Sequence, residues 1–401
     1  MNSMNNRKVV LAYSGGLDTS AIIPWVKENY SLDVIAFVAD IGQSKKELDG
    51  IFEKAIQSGA IDCCIVDLKE KFIRDYILPV LSTGALYEGN YLLGTAMARP
   101  IIAKEQIKLA LQKKAIAVCH GATGKGNDQI RFEMAYAALA PNLQVLSPWR
   151  EWKLSSREEL IEYLKLRNIP TTATKEKIYS RDENIWHIST EGGILEDTWN
   201  APDKNCWVWT NDPISAPNEA EYVTIEFKNG YPISVNDNNL SLLGVLTFLN
   251  QIGSKHGIGR IDIVENRVTG MKSRGCYETP GGTILVTAMR AVEQLVLDRH
   301  SFQWREQLGL KMSTVVYDGL WFTPVRKAIQ NSAMVFFNML SGKIVLQLYK
   351  GNVFVIKKYA KHTLYLEEFA TFGKDTVYNQ NDAQGFIKLL SLSSKIRALQ
   401  K

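Results

Sequence analysis

Cysteine is scarce: the chain of 401 residues has five, Cys63, Cys64, Cys119, Cys206 and Cys276. An odd number with one adjacent pair and no CxxC spacing excludes a disulfide framework and a zinc knuckle, and leaves small buried apolar side chains. Histidine is as rare, at His120, His187, His256, His300 and His362. With no HExxH and no close pair, a catalytic metal held by the protein itself lacks its ligands. No apolar run approaches the ~18 residues of a membrane span. Residues 1–8 are polar and lead straight into a strand-like run rather than a signal-peptide core, so a cytoplasmic protein is expected, without membrane partners. A dominant charge is also missing. Lys and Arg total 47 against 42 Asp and Glu, and a net +5 over this length gives little reason to expect nucleic-acid binding, while a small anionic ligand remains open. No internal repeat or low-complexity tract is present.

With 46% hydrophobic residues, the chain can build two or three packed domains. Its first 170 residues or so alternate strand-like and helix-like stretches, the pattern of a mostly parallel sheet covered on both faces. Apolar runs at 9–13 (VVLAY), 33–38, 61–66 and 115–119, with a short one at 145–147, predict strands. Helices are predicted over 19–29, 47–58, 94–114 and 128–140, the last stopped by Pro141. Pro24 lies inside the first, where an interior proline costs ~3 kcal/mol, and predicts a kink or a later helix start. Ser156-x-x-Glu159 is a capping box for a helix over 159–167, closed by Asn168 and Pro170.

From Thr171 the texture changes, placing a boundary near Thr174. Units at 1–173, 174–365 and 366–401 follow: a doubly wound α/β domain, an α+β domain and a C-terminal helical arm. In the second unit strands are expected at 223–227, 343–349 and 352–358, and helices at 240–253 and 281–297. The arm carries Phe386, Ile387, Leu389, Leu390, Leu392, Ile396 and Leu399 at roughly helical spacing, a stripe that docks either on its own core or on a neighbouring subunit.

The sharpest chemical signal is SGGLDTS, Ser14 to Ser20, directly after one strand and before a helix. Adjacent glycines let backbone N–H groups close around an anion, Ser14, Thr19 and Ser20 add hydroxyls, and the helix N-terminus adds its dipole, which suits a phosphate or pyrophosphate. It is not a Walker loop, because no GK[ST] follows and Asp18 stands where a lysine belongs. Asp18 engages a magnesium ion on the phosphates, orients donors of the loop, or caps the helix. A second turn, HGATGKGND, again follows an apolar strand and opens a helix. Two such turns at the ends of neighbouring strands face one crevice, where open α/β sheets bind ligands. Beside it, Asn127, Asp128 and Arg131 share a helical face, where a guanidinium can grip a carboxylate and a carboxylate can accept from an amine; the bland alternative is a surface ion pair. Lys125 either contacts phosphate or points to solvent.

SGGLDTS resembles the PP-loop of the ATP pyrophosphatases, which cleave ATP to AMP and pyrophosphate by adenylating an acceptor. YLLGTAMARP (91–100), HGATGKGNDQIRFE (120–133), GRIDIVENR (259–267) and GMKSRGCYETP (270–280) extend the likeness. From Val9 to about Pro280 the sequence is similar to the argininosuccinate synthase family. That resemblance implies an ATP-binding first domain, a second domain for the amino acids and for multimerisation, and a homotetramer using the C-terminal arm. It implies ATP, carried with Mg2+, at Ala12, Tyr13, Ser14, Gly15, Gly16, Leu17, Asp18, Thr19, Ser20, Ala39 and Gly121. Aspartate is implied at Thr123, Asn127 and Asp128. Citrulline is implied at Tyr91, Thr95, Ala96, Asn127, Arg131, Ser180, Ser189, Glu265 and Tyr277, although Ala96 lacks the hydroxyl that serine gives some family members. Asp40 likewise puts a charge where Asn can stand.

The implied reaction is an ATP-dependent ligation through citrullyl-AMP. Asp18 is expected to serve catalysis through the metal, and Asp128 by orienting or receiving the amine's proton. Read without the family, Ser180 and Ser189 bracket a loop-like segment, Glu265 is a solvated charge, and Tyr277 is a core or turn residue. Two rivals remain. One is another PP-loop ligase, tRNA-thiolating or amidating, of which thiolation would ask for a reactive cysteine and a basic RNA surface; the other is a nucleotide sensor, which would not turn ATP over.

Overall fold

The computed structural model describes residues 7–154, 156–170, 179–373 and 377–400. The expected boundary near residue 174 lies outside the described residues. Five strands form the first sheet: β1 (Lys8–Ala12), β2 (Asp33–Asp40), β3 (Asp62–Asp67), β4 (Ala117–Cys119) and β5 (Gln144–Leu146). All pair in parallel, in the order β3-β2-β1-β4-β5. Val9 and Leu11 pack with Ile22, Ile23 and Val26 on one face, while Val10, Ile35 and Phe37 pack with Ile101 and Ile107 on the other. Burial on both faces is why these strands read as unbroken apolar runs. The order reverses between β1 and β4, which sets the loops leaving them side by side.

Helix α1 (Leu17–Tyr30) runs through Pro24 and begins earlier than expected. Ile22, Ile23 and Val26 bury against the sheet while Leu17 and Ala21 bury against Leu160 and Leu164, and this two-sided packing offsets the hydrogen bond the proline lacks. The single helix expected over 47–58 is two, α2 (Lys45–Leu48) and α3 (Ile51–Gln57), because Gly50 breaks it at φ +67°. Helical turns α4 (Lys69–Phe72) and α5 (Leu78–Leu81) flank a π turn over Ile73–Ile77. Helices α6 (Gly94–Gln112), α7 (Asp128–Leu139) and α8 (Arg157–Lys165) complete this layer. The capping box forms as expected: Glu159 N–H donates to Ser156 Oγ at 3.1 Å and Ser156 N–H to the Glu159 carboxylate at 3.2 Å.

After the first domain come β6 (Ser180–Glu183), β7 (Ile188–Glu191), β8 (Glu221–Lys228), β9 (Tyr231–Val235), β10 (Asn238–Asn239), α9 (Leu242–Lys255), β11 (Arg260–Asn266) and β12 (Lys272–Glu278). They are followed by α10 (Pro280–Val296), α11 (Arg299–Tyr317), α12 (Pro324–Phe337), β13 (Gly342–Tyr349) and β14 (Asn352–Tyr359). Two antiparallel sheets result, in the orders β10-β9-β8-β13-β14 and β11-β12-β7-β6. The strands and helices expected here are present within a few residues, and the second sheet, α11 and α12 are additional to them. The arm comprises α13 (Glu367–Ala370), α14 (Asp382–Leu390) and α15 (Leu392–Leu399), and none of the three contains a buried residue. Docking on its own core is thereby ruled out for the described part of the arm. Among the described residues no helix is long and apolar enough to cross a membrane.

Candidate active site

The SGGLDTS turn occupies the step from β1 to α1, as expected. Gly15 takes φ +70°, and its carbonyl accepts from Lys54 Nζ. Gly16 N–H donates to Ser14 Oγ at 3.3 Å, Ser14 Oγ lies 3.2 Å from Thr19 Oγ1, and Ser20 Oγ meets the Tyr13 hydroxyl at 3.1 Å. Burial pushes Asp18 above the usual carboxylate range, with Arg157 opposing; a carboxylate whose charge is disfavoured in this way suits a cation. Ala12 ends β1 and Ala39 lies near the end of the adjacent β2. At Asp40 the extra charge is matched by an ion pair with Lys69. Gly121 follows β4 and lies against α1, where a Cβ would come within 2.9 Å of Thr19 Cγ2. The two glycine turns therefore adjoin.

Thr123 lies in the second turn, its carbonyl accepting from Gly126 N–H at 3.3 Å, and the turn delivers Asn127, Asp128 and Arg131 to the start of α7. Asp128 accepts from Arg99 Nη2 at 2.8 Å and Arg131 Nη1 at 3.0 Å, and Arg99 Nη2 lies 2.9 Å from Asp182. Asn127 Nδ2 donates to the Tyr317 hydroxyl at 2.9 Å, which donates to Glu265 Oε1 at 2.8 Å. Arg131 Nε donates to the Tyr317 carbonyl at 3.0 Å.

Opposite them stands one face of the β11-β12-β7-β6 sheet. Ser180 pairs with Glu191 and Glu191 with Gly275; Asp182 pairs with Ser189 and Ser189 with Tyr277. Glu265 pairs with Ser273, on the same side as Gly275 and Tyr277. Four residues scattered over the sequence, Ser180, Ser189, Glu265 and Tyr277, thus share one surface. Tyr277 faces Tyr91 with ring centroids 4.8 Å apart. Thr95, in the first turn of α6, bonds His187 Nε2 at 3.0 Å and gives its N–H to the Tyr91 hydroxyl at 3.1 Å. Ala96, next to Thr95 on α6, is fully enclosed and carries no side-chain donor or acceptor. Sequence reasoning missed Arg99, Asp182, Glu191, Arg267 and Tyr317. A lone tyrosine ending an amphipathic helix gives no signal, whereas Glu191 follows Ser189 at strand period.

The electrostatics divide the carboxylates. Burial alone would raise Asp128, but the pull of Arg99 and then Arg131 outweighs it and holds its pKa below the usual range. Burial raises Glu265, against the hydrogen bond from Tyr317 and the charge of Arg131. Glu191 is pushed up to about 7, first by burial, with Arg267 opposing and Glu265, Asp128 and Asp182 adding. Burial and then Arg99 hold His187 down to about 3, so it is neutral. Among the described residues no cluster of three His, Cys, Asp or Glu could hold a metal.

Adjoining anion-binding turns at the reversal of a parallel sheet, joined through one helix start to a charged antiparallel sheet, define an ATP-dependent ligase with a PP-loop nucleotide domain. Family models described as "Arginosuccinate synthase N-terminal HUP domain" and "Arginosuccinate synthase C-terminal domain" match residues 8–170 and 179–397. The argininosuccinate synthases of Erwinia tasmaniensis and Serratia proteamaculans are each 65% identical to the chain over 402 residues, covering all of it and 100% and 99% of their own lengths. That of Buchnera aphidicola subsp. Acyrthosiphon pisum is 64% identical over 393 residues, 98% of both chains. The chain belongs to the argininosuccinate synthase family.

Proposed function

We propose that the two halves of this site divide the work of joining L-citrulline to L-aspartate, the first sheet holding ATP and the second sheet the amino acids. The observation that carries this reading is continuity: the second glycine turn starts beside Thr19 and ends at Asn127 and Asp128, whose helix is tied to Glu265 through Tyr317. Residues Ala12 to Ser20, Ala39 and Gly121 hold ATP. Thr123, Asn127 and Asp128 hold aspartate, and Tyr91, Thr95, Asn127, Arg131, Ser180, Ser189, Glu265 and Tyr277 hold citrulline. Magnesium carried with ATP would, when bound, screen negative charge on the pyrophosphate group. Asp18, the one carboxylate of the Ser14–Ser20 turn, is the residue to hold it.

The turn N–H groups and hydroxyls fix the pyrophosphate while the ureido oxygen of citrulline attacks the α-phosphorus in line, giving citrullyl-AMP. Aspartate's amine then displaces AMP. Asp128, kept ionised between two guanidiniums, is a weak base, and its part is to orient the amine rather than to take its proton. The working units divide at residues 173 and 365. The exposed stripe of the arm, Phe386 to Leu399, covers a neighbouring copy in a cytoplasmic homotetramer, since an apolar face this open in isolation asks for a partner. Steady-state release of AMP and pyrophosphate from magnesium ATP tests the reading: continuous turnover should require both amino acids and yield argininosuccinate. ATP binding without turnover on any such combination would leave the fold and remove the substrates.

A further inference from the structure

We propose that Glu191 is the catalytic residue that takes the proton from the ammonium group of aspartate, a role that rests on the division of the site given above. Glu191 ends β7, the inner strand between β12 and β6, two residues after Ser189 and on the same face. Its cross-strand neighbour on one side is Gly275, which has no side chain to cover it, and on the other Ser180. About a third of the side chain is open to the cleft. Arg267 Nη2 donates to it at 2.8 Å, and Arg267 Nη1 reaches the Lys125 carbonyl of the second glycine turn at 3.4 Å. Glu191 therefore stands where the aspartate residues of that turn meet the citrulline residues of the sheet, the place where amine nitrogen and ureido carbon must join.

The groups facing it are Arg267, Glu265, Asp128, Asp182 and Tyr277. Asp128 and Asp182 share Arg99, and Asp128 also has Arg131. Glu191 and Glu265 have raised pKa values, and Glu265 already accepts from the Tyr317 hydroxyl. Glu191, at about 7, has the affinity for a proton near neutral pH that a general base needs. The step balances as follows. The ammonium gives one proton to the Glu191 carboxylate, and the freed nitrogen lone pair forms the bond to the ureido carbon. The carbon–oxygen bond to AMP breaks with its electron pair on the phosphate oxygen. The second proton of the newly bonded nitrogen leaves with AMP, and the product is a guanidinium.

Two assays on the full-length enzyme separate proton transfer from binding. Citrulline-dependent isotope exchange between pyrophosphate and ATP, without aspartate, reads the adenylation step alone. Argininosuccinate formation reads both steps. Glu191→Gln should keep the exchange within about twofold while formation at pH 7 falls by roughly 10²–10⁴-fold, the span of a lost general base. Wild-type kcat/KM for aspartate should bend near pH 7, falling on the acid side where Glu191 is protonated. In Glu191→Gln that bend should vanish and the rate should climb with pH as solvent deprotonates the amine. Glu191→Asp, which keeps a carboxylate on the same strand, should fold and keep the bend. Equal losses in both assays, unchanged formation in Glu191→Gln, or a Glu191→Asp enzyme without the bend would each overturn the proposal. Wild-type exchange that ignores citrulline would instead overturn the reading of the site, independently of Glu191.

Discussion

Gly275→Ala tests whether Tyr277 belongs to the citrulline site. A Cβ at residue 275 would sit 2.4, 2.9 and 3.0 Å from Cε1, Cζ and Oη of Tyr277. Carbon atoms rest about 3.5–4.0 Å apart, so the ring must retreat by about 1 Å or more. It has little room: Tyr91 and His187 lie 4.8 and 5.4 Å away between ring centroids, and Tyr277 is only 3% exposed. Overpacking of this kind costs about 1–3 kcal/mol. If that cost appears as displacement of Tyr277 from the ligand, citrulline KM rises by roughly 5–150-fold, at 1.4 kcal/mol per factor of ten. The ATP turn lies on the other sheet, so the KM for ATP should stay within about twofold. Steady-state kinetics with citrulline varied, alongside a melting curve, make the measurement. A lower melting temperature with an unchanged citrulline KM would refute the assignment of Tyr277, and no change in either would refute the packing argument.

His187 is held neutral with a pKa near 3, against ~6.5 in an unfolded chain. Its contribution to stability is therefore complete above pH ~6.5 and is lost as pH falls toward 3, so His187→Gln should flatten the slope of melting temperature against pH in that window. Asp128 has a depressed pKa, and the stability it gives is present above the unfolded value of ~3.9 and fades below it. Asp128→Asn should accordingly melt several degrees lower near neutrality, with the gap closing in acid; a constant gap would speak against the Arg99 and Arg131 pairs. If the arm holds the proposed tetramer together, removing residues 366–401 should lower the mass seen in light scattering, and an unchanged mass would show that the arm does not carry the contact.

The first sheet and its two glycine turns were legible because their signals are local. A turn of seven residues directly after an apolar strand states its own chemistry, and the two turns become neighbours through a strand order that right-handed crossovers make routine. The surface shared by residues of the second sheet was legible only through family resemblance. Ser180, Ser189, Glu265 and Tyr277 meet through pairing between strands some 90 residues apart in sequence. Two of those strands, SRDE and ISTE, carry polar residues on the face that lines the cleft, so the apolar alternation that announces a half-buried strand is weak there; in RIDIVEN, Ile261 and Ile263 share that face with Glu265. Ser189 pointed to Glu191 at period two, but only once residues 188–191 were known to be a strand. Pro24 misled in the opposite direction, since local propensity was overridden by packing on both sides of α1.

Tyr317 holds Asn127 and Glu265 on one hydroxyl, and it lies 190 residues beyond Asn127. This bond has a consequence in time. At a synthesis rate of about 5–20 residues per second, roughly 10–40 s separate the emergence of the second glycine turn from that of the tyrosine that braces it. During that interval the growing chain carries both glycine turns and lacks the hydroxyl that ties Asn127 to Glu265. A chain cut short before Tyr317 keeps both turns and lacks the bond that joins the two halves of the site.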